Sequence, residues 1–335
     1  MTRAGGNIAA AGRRAVGVAL CLLLLAAAAS PAQAAGDVTD WLMRVEMATD
    51  KVSYTGSFIF EHDGRMETMR VAHRARADGF RQRLFSLTGS PREVIRDNES
   101  VWCFLPDKKI GVHEYRQSSR NSFLEIRGEQ IASLENYYDF ILGGTERIAD
   151  REARVIEVMP RDAYRYGYTL WADAETALLL RTDLVDESDA IVERYMFVDI
   201  EIGVPIPDRE LQPRTDRDSL QWFGIDEPGE SRGETDRPMQ WDSKTLPPGF
   251  MLSHSINRRG PMDEEIVEHH VYSDGLSSVS LFVKEARDDS GAVGFSRMGA
   301  VSAYVRRVDG HVITVVGEVP ERTVTMIAEG VTRTR

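Results

Sequence analysis

LENYYDFILGGTERIADREARVIEVMPRDAYRYGYTLWADAETALLLRTDLVDESDAIVERYMFVDIEI, residues 134–202, alternates short apolar runs with polar turns. Its last run is the clearest. Val192, Met196, Val198, Ile200 and Ile202 share one parity, and Glu193, Asp199 and Glu201 fall on the other. Period two of this kind marks an antiparallel strand with one face buried. RIADR (147–151), VIEVM (155–159), RYGYTLWA (165–172) and ALLLRTDLVD (177–186) read as companion strands, because PRDAY, DAET and DESDA between them are short and polar, as hairpin loops are. The stretch opens with an expected helix, LENYYDFIL (134–142). The sum is a meander with one apolar face and one wet face.

Upstream, Val38, Trp41, Leu42 and Val45 recur at helical spacing in DVTDWLMRVEMATDKV (37–52), which predicts an amphipathic helix packed on the sheet. Hairpins follow. Asp63-Gly64 and Asp78-Gly79 stand between alternating runs, and Asp-Gly suits the tight turn whose two residues both need positive φ. Taking those pairs as the turns places Phe58 opposite Met69 and Gly56 opposite Val71. Phe60, His73 and Leu84 then share their face, and Phe58, Phe60, Met69, Val71 and Leu84 form an apolar wall. The other face carries Arg74 opposite Arg83 and Arg76 opposite Arg81. Residues 65–96 hold eight arginines and three acids in a chain of net charge −12. Directly opposed like charges cost a few tenths to about 1 kcal/mol. Arg74, Arg76, Arg81 and Arg83 therefore read either as a band receiving an anion (a phosphate-bearing lipid or an acidic partner segment) or as arginines fanning into solvent. Further strands are expected at 92–96, 100–105 and 110–116.

The first 34 residues read as a signal peptide. Arg3, Arg13 and Arg14 precede the apolar run Ala15–Ala29, and Ala32-Gln33-Ala34 is a small-x-small site cut after Ala34. A run of about 15 residues is short of the ~20 that span a bilayer. Removal takes three of 41 basic residues and none of 53 acidic ones, leaving a net charge near −15. Cys103 is then the sole cysteine, so no intramolecular disulfide is expected. The acidic balance argues against nucleic acid and against general binding to anionic membranes.

Residues 35–204 form the expected large domain. Residues 205–238, with five prolines and nine acids, read as an extended, poorly packed linker in which Leu220, Trp222 and Phe223 dock locally. A small domain fills 239–335, with five antiparallel strands at 250–256, 265–273, 276–284, 300–308 and 311–319, and a closing helix that Pro320 opens. The fold class is α+β.

Chemistry is sparse. No P-loop, GxSxG, HExxH, EF-hand or zinc spacing occurs. His269 and His270 are adjacent in a strand, so their rings diverge, and no further ligands stand at metal-binding spacing. Carboxylate pairs such as Asp183/Asp186 and Asp199/Glu201 are expected by chance in so acidic a chain. Nothing near Cys103 lowers its pKa. No catalytic residue, metal or cofactor is expected.

YYDFI (137–141), RIADR, VIEV, RDAYRYGY (161–168), LWADAE (170–175) and RTDL (181–184), then LPPGF (246–250), VYSDGL (271–276) and ITVVGEVPERT (313–323), resemble the RseB/MucB family of periplasmic sigma-factor regulators over essentially the whole mature chain. The resemblance implies a large domain like the carriers LolA and LolB: an open, curved antiparallel half-barrel with helices on the concave side. The apolar wall would face inward and the arginines outward. It also implies a periplasmic regulator that binds the periplasmic domain of an inner-membrane anti-sigma factor of the RseA/MucA type and shields it from proteolysis. Lipopolysaccharide or another lipid would displace it. The partner surface is expected on the small domain or in the cleft at the linker, with lipid held in the half-barrel. A homo-oligomer is left open, and a lipid or lipoprotein carrier is the alternative.

Overall fold

The computed structural model describes residues 31–115, 131–224, 238–259, 265–286 and 292–334. Of the expected signal segment only 31–34 fall within these, as the first turn of helix α1 (Pro31–Lys51). Among the described residues no helix is long and apolar enough to cross a membrane.

Twelve strands make the large sheet. They are β1 (Tyr54–His62), β2 (Arg65–Arg76), β3 (Gly79–Ser86), β4 (Glu93–Asp97), β5 (Ser100–Leu105), β6 (Ile110–Tyr115), β7 (Tyr138–Ile148), β8 (Arg151–Pro160), β9 (Gly167–Asp173), β10 (Leu179–Val185), β11 (Ile191–Ile202) and β12 (Gln221–Gly224). Their spatial order is β12-β6-β5-β4-β3-β2-β1-β11-β10-β9-β8-β7. All pairs are antiparallel except β12 with β6. The end strands β12 and β7 do not meet, so the sheet is an open, curved half-barrel and not a closed one. On one face Val38, Leu42, Val45 and Ala48 of α1 pack with Ile131 and Leu134 of the one-turn helix α2 (Ile131–Leu134) against Tyr138, Ile156, Val158 and Leu170.

Three expectations are corrected. The helix over 134–142 is not formed: α2 stops at Leu134 and the chain is already in β7 at Tyr138. Leu134, Tyr138 and Ile141 fit a helical spacing equally well, but Phe140 pairs with Val158 and Leu142 with Ile156, and strand pairing overrides the local preference. Second, β11 does not keep one apolar parity. A bulge at Ser57/Phe58 lets Tyr195 and Phe197 join the face of Phe58, while Val198 is exposed. Third, the β2–β3 register lies two residues from the expected one. Arg74 faces Arg81, Arg83 faces Ala72 and Arg76 faces Gly79. The turn residues are Ala77 and Asp78, because Asn98 folds over Gly79: its Nδ2 donates to Asp78 O and its Oδ1 accepts from Phe80 N. A Cβ on Gly79 would lie 1.7 Å from Asn98. The β1–β2 turn does follow Asp-Gly chemistry, with φ of 49° at Asp63 and 68° at Gly64, and Phe58 faces Met69 as expected.

The first part of the expected linker is packed. Residues 204–224 run as a strap over the face of the sheet opposite Phe58 and Val71. Ile206 and Leu211 cover Ala72. Leu220 covers Ile95 and Phe104, and the Trp222 ring lies over Gly111, where a Cβ would sit 2.6 Å from the indole. The strap ends as β12 on the sheet edge. Residues 225–237 lie outside the described set.

The small domain is a six-stranded antiparallel sheet, one strand more than expected. It contains β14 (Met251–Arg259), β15 (Ile266–Ser273), β16 (Ser278–Glu285), β17 (Gly294–Met298), β18 (Val301–Val308) and β19 (His311–Glu318), in the order β14-β15-β16-β19-β18-β17. β17, unread in the sequence, is short and largely exposed. Helix α3 (Glu321–Glu329) seals one face with Val324, Ile327 and Ala328 against Leu281, Ile313 and Val315. A two-stranded ribbon of β13 (Trp241–Ser243) and β20 (Val331–Arg333) closes its end.

Candidate functional site

Phe58, Met69 and Val71 are buried in one cluster, with Phe60 and Leu84 half-buried beside them. β11 adds what the sequence reading missed. Tyr195 stacks on Phe60 at 4.5 Å between centroids and Phe197 lies 5.7 Å from Phe58. The hollow bounded by Tyr54, Phe58, Val71, Leu84, Tyr195 and Phe197 has a cavity volume of about 30 Å³, the share of a single water molecule.

His73 continues this face. Its ring is fully buried between Tyr54 (5.0 Å) and Phe80 (5.4 Å), and neither ring nitrogen has a hydrogen-bond partner among the described residues. Burial, and secondarily the charge of Arg96, lowers its pKa to about 4. The unfolded chain, with an ordinary value of 6.5, therefore takes up this proton first. Stability from neutral His73 is complete above pH 6.5 and is lost as pH falls toward 4, about 3 kcal/mol in all. His73→Phe is expected to flatten that part of the stability-against-pH curve in urea titrations; an unchanged slope between pH 6.5 and 4 would refute the assignment.

The four arginines lie on the opposite face and do not form one open band. Arg83 is buried and pairs with Glu93, its guanidinium over the Phe85 ring. The Glu93 carboxylate also accepts the backbone N–H groups of Arg214 (3.1 Å) and Thr215 (3.2 Å) from the strap. Arg74 pairs with Asp208 at 2.6 Å and donates to Ile206 O at 3.0 Å. The opposition of Arg74 and Arg81 is thus relieved by strap carboxylate, and the anion at the band is the chain's own. Arg76 and Arg81 are exposed.

The junction of the two domains holds the most developed polar network. Arg165, in the loop before β9, has no exposed side-chain surface, nor has Asp274 in the β15–β16 turn; their charges lie 3.1 Å apart. Tyr138 Oη donates to Asp274 at 2.9 Å and lies 3.3 Å from Ser277 Oγ. Arg165 also donates to Pro248 O at 2.5 Å and lies 3.2 Å from Asp162. Its guanidinium sits over the rings of Tyr137, Tyr138 and Phe250 at 4.9, 5.4 and 5.3 Å. Burial, then the Asp274 charge, pushes the Tyr138 hydroxyl far above its usual range. Around this clasp Thr323 Oγ1 donates to Tyr164 O at 2.5 Å. Glu193 accepts from Ala300 N at 2.7 Å and Asp63 from Gly299 N at 2.8 Å. Burial raises the Glu193 pKa, and the Gly299 bond leads in lowering that of Asp63.

No cluster of His, Cys, Asp or Glu fit to hold a metal occurs among the described residues. What the geometry offers is apolar and main-chain contact.

Residues 37–215 match the model of the MucB/RseB N-terminal domain and residues 235–332 that of the MucB/RseB C-terminal domain. The chain is 32% identical over 314 residues to the sigma factor AlgU regulatory protein MucB of Pseudomonas aeruginosa, covering 92% of this chain and 95% of that one. It is 30% identical to the sigma-E factor regulatory protein RseB of Escherichia coli, covering 92% and 94%. Among solved structures, MucB in complex with MucA(peri) matches with a TM-score of 0.68 at 29% identity, over 89% of this chain and 100% of that one.

Proposed function

This chain belongs to the MucB/RseB family, and on that premise we propose that it is a periplasmic sigma-factor regulator. It binds the periplasmic segment of a membrane-spanning anti-sigma factor, protects it from regulated proteolysis and so keeps the sigma factor inactive. The observation that carries this reading is the likeness, through both domains, to MucB in complex with MucA(peri). A simple lipid or lipoprotein carrier has less support, since it has no use for a second domain clasped to the first through buried charge.

Within this reading the apolar wall is the lipid-sensing surface. Each methylene buried there contributes about 0.8 kcal/mol. The chain acts by occupancy, with partner and lipid competing through the arrangement of the two domains.

The purified periplasmic segment of the cognate anti-sigma factor, incubated with its site-1 protease, tests the proposal. With the intact protein in excess, cleavage is expected to slow at least tenfold, and added lipopolysaccharide is expected to restore it. Equal cleavage with and without the protein would end the regulatory reading. Protection insensitive to lipid would end only the sensing part.

A further inference from the structure

The small sheet has two edges, and they differ. β17 is five residues long, and the turn that follows it is engaged by the large domain through Gly299 and Ala300. β14 is nine residues long and, among the described residues, pairs on one side only, with β15. A long unpaired edge presents a row of main-chain donors and acceptors, and sheets ordinarily protect such rows with lysine, proline or a cover. In the large sheet the edge strand β12 is only four residues long, and β7 is interrupted by a bulge at Leu142/Thr145 and carries Arg147, exposed and paired with Asp150. β14 has an irregularity of its own at Leu252/His254, past which His254–Arg259 pairs regularly with β15. β14, FMLSHSINRR with its preceding phenylalanine, holds neither lysine nor proline. Met251 is 71% exposed and Leu252 50% exposed, among the most exposed large apolar side chains of the described chain. His254 beside them is exposed as well.

We infer that β14 is the strand to which the partner's periplasmic segment adds, as an extended seventh strand of the small sheet. The inference rests on the regulatory reading above and names its surface. An unpaired edge selects an extended main chain, since only that satisfies alternate donors and acceptors along it. Met251 and Leu252 supply apolar anchors at one end. Charge decides between a foreign segment and a second copy of this chain. The β14 sequence carries two arginines and a histidine with no acid, in a molecule of net charge −12. A second copy brings another cationic edge and a second large negative charge, whereas an acidic extended segment is attracted by the net positive sequence of this strand.

Hydrogen exchange on the full chain, with and without the purified periplasmic segment of the cognate anti-sigma factor, tests this directly. Exchange across 251–259 is expected to slow at least tenfold on binding, in alternate amides. Met251→Lys/Leu252→Lys, both at exposed positions, is expected to weaken binding at least tenfold with an unchanged melting temperature. Arg258→Glu/Arg259→Glu is expected to weaken it and flatten its salt dependence. Binding with no protection in 251–259, or undiminished in both double variants, overturns the inference and leaves the regulatory reading intact. Protection that appears without the segment and grows with protein concentration overturns it in favour of a second copy. No binding by the unaltered chain is a failure of the regulatory reading instead.

Discussion

Asp274→Asn is expected to destabilise the protein by about 3–5 kcal/mol, the cost of leaving one member of a buried ion pair without its counter-charge. Asparagine is the informative replacement. Asp274 Oδ1 accepts the backbone N–H groups of Leu276 (2.9 Å) and Ser277 (2.7 Å), and an amide oxygen retains both bonds. What disappears is the charge facing Arg165 and Tyr138. A guanidinium does not shed its proton, so Arg165 stays charged in a site with no exposed side-chain surface, with Asp162 at 3.2 Å as its remaining carboxylate. Arg165→Met strands Asp274 in the same way. The double variant removes both charges and is expected to lose much less than the sum of the two, as groups sharing one network do. Urea titration of the four proteins measures the coupling, and small-angle scattering reports whether the domains part. Single variants within 1 kcal/mol of the parent would show that the clasp does not hold the junction.

On the proposed lipid-sensing reading, the clasp sets what a lipid has to overcome. A linker of Gly or Ser would leave the domains free to separate, and weak binding would suffice to part them. Here a ligand that works by separation has to favour the parted state by more than the clasp opposes it. Four kcal/mol corresponds to roughly a thousandfold difference in affinity between the two states. A lipid filling a 30 Å³ hollow does not supply that while the wall keeps its shape. On that reading β11 links the wall to the junction: Tyr195 lies two residues from Glu193, which accepts the Ala300 N–H.

The short strings that carried the family resemblance had no chemistry as sequence, yet they converge on this junction. YYDFI brings Tyr137 and Tyr138, RDAYRYGY brings Asp162, Tyr164 and Arg165, LPPGF brings Pro248 and Phe250, VYSDGL brings Asp274, and VPERT brings Thr323. Their meeting was illegible because Tyr138 and Asp274 stand 136 positions apart and no local rule links them. The wall was legible for the opposite reason. The Asp63-Gly64 turn is a two-residue device, and once it is fixed the pairing of Phe58 with Met69 follows by counting. Where the counting depended on a distant side chain, as Asn98 over Gly79, it slipped by one pleat. The strap is not legible because composition reports proline and charge, and Asp208 docks on Arg74 while the Arg214 guanidinium lies over the Phe85 ring at 4.5 Å.

Glu93→Gln is expected to release that strap. The Glu93 carboxylate is nearly inaccessible and joins three donors, Arg83 from the adjacent strand and the N–H groups of Arg214 and Thr215 from a segment 121 and 122 positions away. A glutamine turns an NH₂ toward at least one of these donors and leaves Arg83 without its counter-ion, a loss of about 3–5 kcal/mol by the same reasoning as for a broken buried pair. The other ties on this part of the strap are Ile206 and Leu211 on Ala72, Asp208 on Arg74 in an exposed setting, and the carbonyls of Ile206 and Glu210, which accept from Arg74 (3.0 Å) and Arg83 (3.4 Å). An exposed pair of that kind contributes little. The undocked population of residues 204–215 is therefore expected to rise more than a hundredfold, since each 1.4 kcal/mol is tenfold. Limited proteolysis within 204–215 reads that population, and accelerated cutting there is the expected result. Arg83→Leu/Glu93→Leu separates strap from sheet. An apolar pair of this size stabilises the buried position about as well as the ions do, so the sheet keeps its melting temperature. The strap, deprived of its acceptor, is still cut fast. Slow cutting in both variants would mean that the apolar contacts of Ile206, Leu211 and Leu220 hold the strap unaided, and that the buried ion pair serves the sheet alone.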